Sequence, residues 1–301
     1  MENLYAKIKL ELEDKLSFLE DKPEETIDST LQALWHKASG FATSAENASK
    51  FPLTVLSNEQ QILLNQLVEK RLNGTPLAHL TERQNFLGLE LICDKRALIP
   101  RKETEILGKA AIDICKKMAI QKSVVNIFDV CCGSGNLGLA IAFHQSNTRI
   151  HSSDLSAEAV ELTKENISLL KLEQIIKVTQ SDLFSGFESE EYFGKIDLIV
   201  CNPPYISTSK VLKMNSEIAK NEPAMAFDGG MIGLKIIQKL IQEAPRFLTD
   251  NGWLIFEVGL GQGPFVIQLC EKSKQYNQIN SISDSSGNIR VIAASIMKSG
   301  N

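Results

Sequence analysis

Ile196-Asp197-Leu198-Ile199-Val200-Cys201-Asn202-Pro203-Pro204-Tyr205 is the stretch that decides the fold. Its first six residues form an apolar run broken only by Asp197, the pattern of a strand buried in a parallel sheet. The strand stops on a rigid ledge. Each proline fixes φ at about −65° and removes an N–H, and Pro203 pushes Asn202 towards an extended backbone. The ledge therefore offers acceptors, the Asn202 side-chain oxygen and the backbone carbonyls, without donors beside them. That suits a planar –NH2 group with two hydrogens to give, as in an amide or an adenine amine. Such a nitrogen is a poor nucleophile. Holding both hydrogens orients its lone pair and stabilises the positive charge that develops as it attacks.

The same apolar runs recur on either side. Strands are predicted at 124–130, 149–154, 175–179 and 253–258, with a final hairpin-like pair around 279–283 and 289–296. Helices are predicted between them, at 137–144, 157–170, 234–244 and 265–274. This alternation, established from about residue 103, gives an α/β fold with a doubly wound, mostly parallel sheet. Residues 1–80 read instead as helices. Leu4, Ile8, Leu12, Leu16 and Leu19 recur at helical spacing, and Pro23 and Asp28 mark breaks. Ser57 reads as the N-cap of a helix through Leu63, Leu64, Leu67 and Val68, which Gly74 and Pro76 stop. Phe86 to Cys93 is short, apolar and broken by Gly88, as in a small β-hairpin linker.

The first strand of the alternating part runs into Asp129-Val130-Cys131-Cys132-Gly133-Ser134-Gly135-Asn136-Leu137-Gly138. Gly133 to Gly138 spells G-x-G-x-x-G, a weak signal alone. Two acids point to S-adenosylmethionine. Asp129, at the strand end, can take the cofactor's ammonium or a water bridging to it. Asp154 closes the second strand, 19 residues after Gly135, and can accept both ribose hydroxyls. The glycines let backbone pass beneath the methionine moiety. Asp182, in Ser181-Asp182-Leu183-Phe184, can accept the adenine amine. Each Asp taken singly reads equally well as a helix cap or turn former. Together they end successive strands, the edge where open α/β sheets bind ligands. The candidate cofactor site is therefore Asp129, Cys131, Cys132, Gly133, Ser134, Gly135, Asp154, Asp182, Leu183 and Asn202.

The 301 residues suffice for two domains, and the 43% hydrophobic content supports a real core. The formal charge is −5, and residues 1–95, with 10 Lys/Arg against 15 Asp/Glu, carry all of it. A domain gripping a phosphate backbone is normally basic, so direct nucleic-acid binding is not expected. The six cysteines (Cys93, Cys115, Cys131, Cys132, Cys201, Cys270) form no CxxC pair, and no Cys/His spacing suggests a metal. Reduced structural thiols fit a cytoplasmic protein. From the charged start at Glu2 no signal peptide is expected, and no apolar run nears the roughly 18 residues of a membrane span. The four histidines show no triad or metal spacing.

Over residues 57–301 the chain resembles the release-factor glutamine methyltransferases, the HemK/PrmC family. The pieces are Gly74-Thr75-Pro76-Leu77, Phe86-x-Gly88, Leu98-Ile99-Pro100-Arg101 with Glu103-Thr104-Glu105, and Asn202-Pro203-Pro204-Tyr205-Ile206. Glu222-Pro223, Gly229-Gly230, Gly233-Leu234, Gly252, Glu257-x-Gly259 with Gln262, and Arg290 follow. The NPPY stretch alone also fits adenine-N6 methyltransferases; the IPR-x-ET and EP…GG…GL stretches are more specific. The resemblance implies a helical substrate-recognition domain (1–82), a β-hairpin linker (83–100) and a Rossmann-like class I methyltransferase domain (101–301) of about seven strands. It implies methyl transfer from S-adenosylmethionine to the side-chain nitrogen, N5, of the glutamine in a release factor's Gly-Gly-Gln motif. A monomer is expected. The pattern departs in three places. Cys131 stands where the loop usually has glycine, Leu183 where an aromatic often follows the acid, and Ile232 where an Asp precedes Gly-Leu. Residues 1–50 match little.

On this reading Asn202, Pro203, Pro204 and Tyr205 are the catalytic residues. Asn202 Oδ1 and the Pro203 carbonyl take the two amide hydrogens, while Pro204 and Tyr205 flank the amide and exclude water. Alignment and desolvation supply the rate, and no general base is required. Tyr205 has a second reading, as an aromatic that packs the loop. Arg101 reaches the cofactor carboxylate or a substrate acid, or is a solvated surface residue. Glu222 pairs with a backbone N–H, and Glu257 is a structural hydrogen-bonding group. The competing activities are an adenine-N6 methyltransferase, a methyltransferase for a small molecule or another protein, and a cofactor-binding module without activity.

Overall fold

The helical periodicity of the first 80 residues folds as amphipathic helices around one apolar cluster. The structure, a computed structural model, describes residues 2–19, 21–206, 221–227, 229–230 and 233–297. Helices α1 (Glu2–Lys15), α2 (Ile27–Ala38), α3 (Ala45–Ala48), α4 (Asn58–Leu72) and α5 (Leu77–Thr81) bury Ile8, Leu12, Leu31, Leu34, Trp35 and Leu64 together. Ser57 caps α4 as its sequence predicts, through a capping box with Gln60. Asp28 is not a break. Thr26 is the cap, and Asp28 lies in the first turn of α2, where a carboxylate complements the helix dipole. Helix α1 stops at Lys15, so Leu16 and Leu19 lie beyond it.

Strands β1 (Arg83–Phe86) and β2 (Leu89–Ile92) form an antiparallel hairpin. Its two-residue turn, Leu87-Gly88, has φ of 50° and 87°, a pair of positive values that suits the twist of a tight hairpin. From there α6 (Thr104–Ala119) leads to β3 (Val125–Val130), α7 (Asn136–His144), β4 (Thr148–Asp154), α8 (Ala157–Leu169), β5 (Ile176–Gln180) and β6 (Ile196–Cys201). Helix Lys235–Glu243, β7 (Leu248–Glu257), helix Gly263–Ser273, β8 (Gln278–Ser283) and β9 (Ile289–Ser295) complete the described chain.

The seven-stranded sheet has the order β5-β4-β3-β6-β7-β9-β8. Strands β3 to β7 are parallel, and β9 is antiparallel between β7 and β8. This is the α/β architecture expected from the alternating pattern. Strand β6 is buried along its whole length, as an apolar run covered on both faces must be. Asp197, its one charged member, accepts from the backbone N–H of Asn126 at 2.9 Å and the Thr249 hydroxyl at 3.0 Å, and pairs with Lys122. Strand β7 begins five residues earlier than the apolar run suggested, because Leu248 already pairs with Ile196 ahead of an irregularity in the register. The order of strands reverses direction between β3 and β6, and the carboxyl ends there face the cavities described next. No helix among the described residues is long and apolar enough to cross a membrane.

Candidate active site

The glycine loop after β3 owes its shape to three left-handed residues. Cys131, Gly133 and Gly135 have φ of 57°, 57° and 80°. A Cβ at Gly135 would lie 2.8 Å from Thr163 Cγ2, and one at Gly138 would lie 2.8 Å from Asp129 Oδ2, so both glycines answer to close packing. Thr163 Oγ1 donates to the Gly133 carbonyl at 2.9 Å, tying the loop to α8. Cys131 is the one non-glycine among the three, and it holds a conformation that costs a side chain energy.

Asp129 is fully buried beneath this loop. Its Oδ2 accepts from the Gly138 N–H at 2.9 Å, and burial pushes its carboxyl up from 3.8 to about 7. It does not line the cavity, so contact with an ammonium group would run through the loop or a water. Asp154 does line it, and burial raises its carboxyl too. Its two oxygens accept from the N–H groups of Gly133 and Ser156, both at 2.9 Å. Asp182 stands at the cavity mouth, and its Oδ2 is paired with Lys239 at 2.9 Å. An adenine amine would share that carboxylate with a lysine, a partner the sequence reading did not include. Leu183 is buried in the wall with φ of 50°. Ile232 lies outside the described residues.

Two cavities meet at the ledge. The larger, about 300 Å³, is lined by Cys131, Cys132, Gly133, Ser134, Asp154, Asp182, Leu183, Asn202 and Pro204. The smaller, about 160 Å³, is lined by Pro203, Tyr205, Glu103 and Phe227. Leu98, Arg101, Thr104, Asn202 and Ala226 belong to both walls. Asn202 thus sits at the junction, and its Nδ2 donates to Thr104 Oγ1 at 3.3 Å. Among the described residues neither Asn202 Oδ1 nor the Pro203 carbonyl accepts a hydrogen bond. The Tyr205 carbonyl is occupied by Gln262 Nε2 at 2.9 Å. A Cβ at Gly229 would lie 2.6 Å from the Pro204 carbonyl oxygen, so glycine there lets its own backbone pack against the ledge.

Tyr205 packs its ring against the core beside β7 and donates its hydroxyl to Glu257 Oε1 at 2.8 Å. Tyr205 thus packs the loop and also lines the smaller cavity. Glu257 is buried and also accepts from Arg290 at 3.4 Å, which supports the structural role expected of it. Arg101 is not a solvated surface residue. Its side chain is only 10% exposed and pairs with Glu222 at 2.5 Å and Asp21 at 3.5 Å, and Glu222 takes the expected backbone N–H, that of Ile99, at 2.9 Å. Thr104 has no signal in the sequence beyond its place in the IPR-x-ET stretch, and Arg101 and Glu222, each read there singly, are not paired by it.

The larger cavity suits a cofactor with a nucleoside and an amino-acid end. Ser134 Oγ and Arg101 Nη1, on two residues of its wall, are buried polar atoms with no hydrogen-bond partner among the described residues. A Cβ at Gly133 would meet only Ala97, at 3.9 Å, and both residues line the cavity, so a side chain there would occupy space a ligand could use. Among the described residues no cluster of three or more His, Cys, Asp or Glu is arranged to hold a metal.

A family model described as "Methyltransferase small domain" matches residues 106–234. A release factor glutamine methyltransferase of Rhodopirellula baltica is 33% identical over 79% of this chain and 80% of its own length. One of Clostridium botulinum is 33% identical over 79% and 82%, and one of Thermodesulfovibrio yellowstonii 32% over 81% and 85%. Among solved structures, the human methyltransferase 10 domain containing protein is similar, with a TM-score of 0.52 at 16% identity over 70% of this chain and 90% of that chain. The N-terminal domain of human METTL16 in complex with SAH follows, with a TM-score of 0.51 at 14% identity over 70% and 77%. These structural likenesses show the shared class I methyltransferase fold.

Proposed function

The chain belongs to the release factor glutamine methyltransferase family, and on that footing we propose that it moves a methyl group from S-adenosylmethionine to a peptide chain release factor. The acceptor is the side-chain amide nitrogen, N5, of the glutamine in the release factor's Gly-Gly-Gln motif. The observation that carries this reading is Asn202 standing in the wall common to both cavities, with its acceptor and the Pro203 carbonyl beside it both unused among the described residues.

In this reading Cys131 to Gly135, Asp154, Asp182 and Leu183 hold the cofactor in the larger cavity, and Asp129 shapes the loop from below. Bound there, the cofactor supplies an electrophilic methyl carbon on a sulfonium. The chain does the rest by positioning. Asn202 Oδ1 and the Pro203 carbonyl receive the two amide hydrogens, which leaves the nitrogen lone pair directed away from them. Tyr205 and Pro203, which line the smaller cavity, wall the carboxamide off from water, whereas Pro204, expected in that role, lines the larger cavity. An amide nitrogen has no proton to yield at neutral pH before attack, so no base is assigned. The proton leaves afterwards, to solvent.

The helical part, residues 1–82, is the proposed grip on the protein substrate, joined through the linker 83–100 to the methyltransferase part, 101–301. The acidic charge of its sequence argues against an RNA or DNA substrate. A cytoplasmic monomer completes the reading. The test is incubation with labelled S-adenosylmethionine and purified release factor, followed by mass mapping. Label on the Gly-Gly-Gln glutamine, lost when that glutamine is replaced, supports the proposal. Label on adenine of a nucleic acid, or on another residue, overturns it.

A further inference from the structure

A carboxamide side chain has two orientations of nearly the same shape. With Oδ1 towards the smaller cavity, Asn202 accepts from an incoming –NH2. Turned over, it sets its own –NH2 against that of the substrate, donor against donor. The ledge alone does not choose between them. Thr104, the first residue of α6, engages the nitrogen end of this amide: its Oγ1 accepts from Nδ2 at 3.3 Å. Thr104 is only 1% exposed, so bulk water does not stand ready to replace it.

The Thr104 hydroxyl has its own hydrogen to place. Among the described residues Glu257 Oε2 has no hydrogen-bond partner, and the Thr104 hydroxyl, with Tyr205 and Arg290, opposes the rise that burial imposes on the Glu257 carboxyl. A hydroxyl whose hydrogen is drawn to a carboxylate presents lone pairs on its remaining side, and only a donor fits there. Tyr205 gives its hydrogen to the same carboxylate at 2.8 Å. Arg290 links Glu257 at 3.4 Å to Glu103 at 2.6 Å, at the foot of α6. Tyr205 and Arg290 are thus keyed to one buried carboxyl, which the hydroxyl that receives Asn202 also influences.

We propose that Thr104 is the positioning residue that holds the Asn202 carboxamide with its oxygen towards the substrate, and so selects a neutral –NH2 group in the smaller cavity. This deepens the glutamine reading and rests on it. The test compares the full chain with Thr104→Val, Thr104→Ser, Asn202→Ala and the Thr104→Val/Asn202→Ala double variant. Transfer from labelled cofactor to purified release factor gives kcat and KM, and calorimetry gives cofactor affinity.

Thr104→Val keeps the shape and removes the acceptor. It should lower kcat about 10- to 100-fold, the loss of one buried hydrogen bond that orients a reacting group. Cofactor affinity should stay within about threefold, and Thr104→Ser within about threefold of the parent kcat, since the hydroxyl acts and not the methyl. In the Asn202→Ala background, Thr104→Val should cost nothing further, because the effect passes through Asn202. A threonine that merely packs the start of α6 would cost as much in either background. Full activity of Thr104→Val, additive losses, or Thr104→Ser as impaired as Thr104→Val would each overturn the inference. A parent chain that leaves release factor unlabelled overturns the glutamine reading and this inference with it. A labelling parent beside a fully active Thr104→Val overturns this inference alone.

Discussion

Arg101 and Glu222, 121 positions apart in sequence, meet at 2.5 Å in an ion pair whose side chains are only 10% and 0% exposed. Glu222 spends its other oxygen on the Ile99 N–H, so one carboxylate anchors the segment that carries Arg101 and Thr104. Breaking a buried pair by removing one partner leaves an uncompensated charge. Glu222→Ala is therefore expected to lower unfolding free energy by about 3–5 kcal/mol. Denaturant unfolding checks this, and a loss below about 1 kcal/mol would mean the pair is solvated in solution.

Cys131 holds φ of 57°, where a Cβ is strained and glycine is not. Cys131→Gly and Cys131→Ala both remove the thiol, so their difference isolates the backbone. Glycine should be the more stable by about 1 kcal/mol, because the left-handed penalty of roughly 1–2 kcal/mol exceeds the extra freedom glycine gains when unfolded. Equal stability, or alanine ahead, would contradict a left-handed residue at this position.

Asp129 gives a pH signature. Its folded carboxyl holds its proton up to about 7, whereas an unfolded one releases it near 3.8. Below both values there is no effect. Between them the unfolded state ionises first, so the folded state loses stability as pH rises, and the loss levels off above about 7. Relative to Asp129→Asn, the parent is expected to lose on the order of 2 kcal/mol between pH 5 and pH 8. Unfolding of both proteins across that range measures it, and a difference that does not change with pH would show that Asp129 is ionised throughout.

The sheet was legible because its strands are apolar runs of a length only a doubly covered strand explains, Ile196–Cys201 above all. The ledge was legible because two prolines fix its backbone whatever surrounds it. What escaped was set by contacts distant in sequence. Thr104 and Asn202 stand 98 positions apart, and no periodicity pairs them. Asp182 looks like a free acceptor until the fold brings Lys239 to it. Asp129 ends its strand as its sequence position suggests, but its burial under the start of α7 is set by the fold. The early start of β7 followed from pairing with Ile196, not from the apolarity of its own first residues.

The most direct measurement is the single-turnover rate of methyl transfer to release factor by Asn202→Ala, with cofactor affinity measured on the same protein. Loss of a contact made in the transition state should slow transfer about 100- to 1,000-fold while cofactor affinity changes by less than about threefold. Transfer at the parental rate would show that Asn202 does not hold the reacting amide.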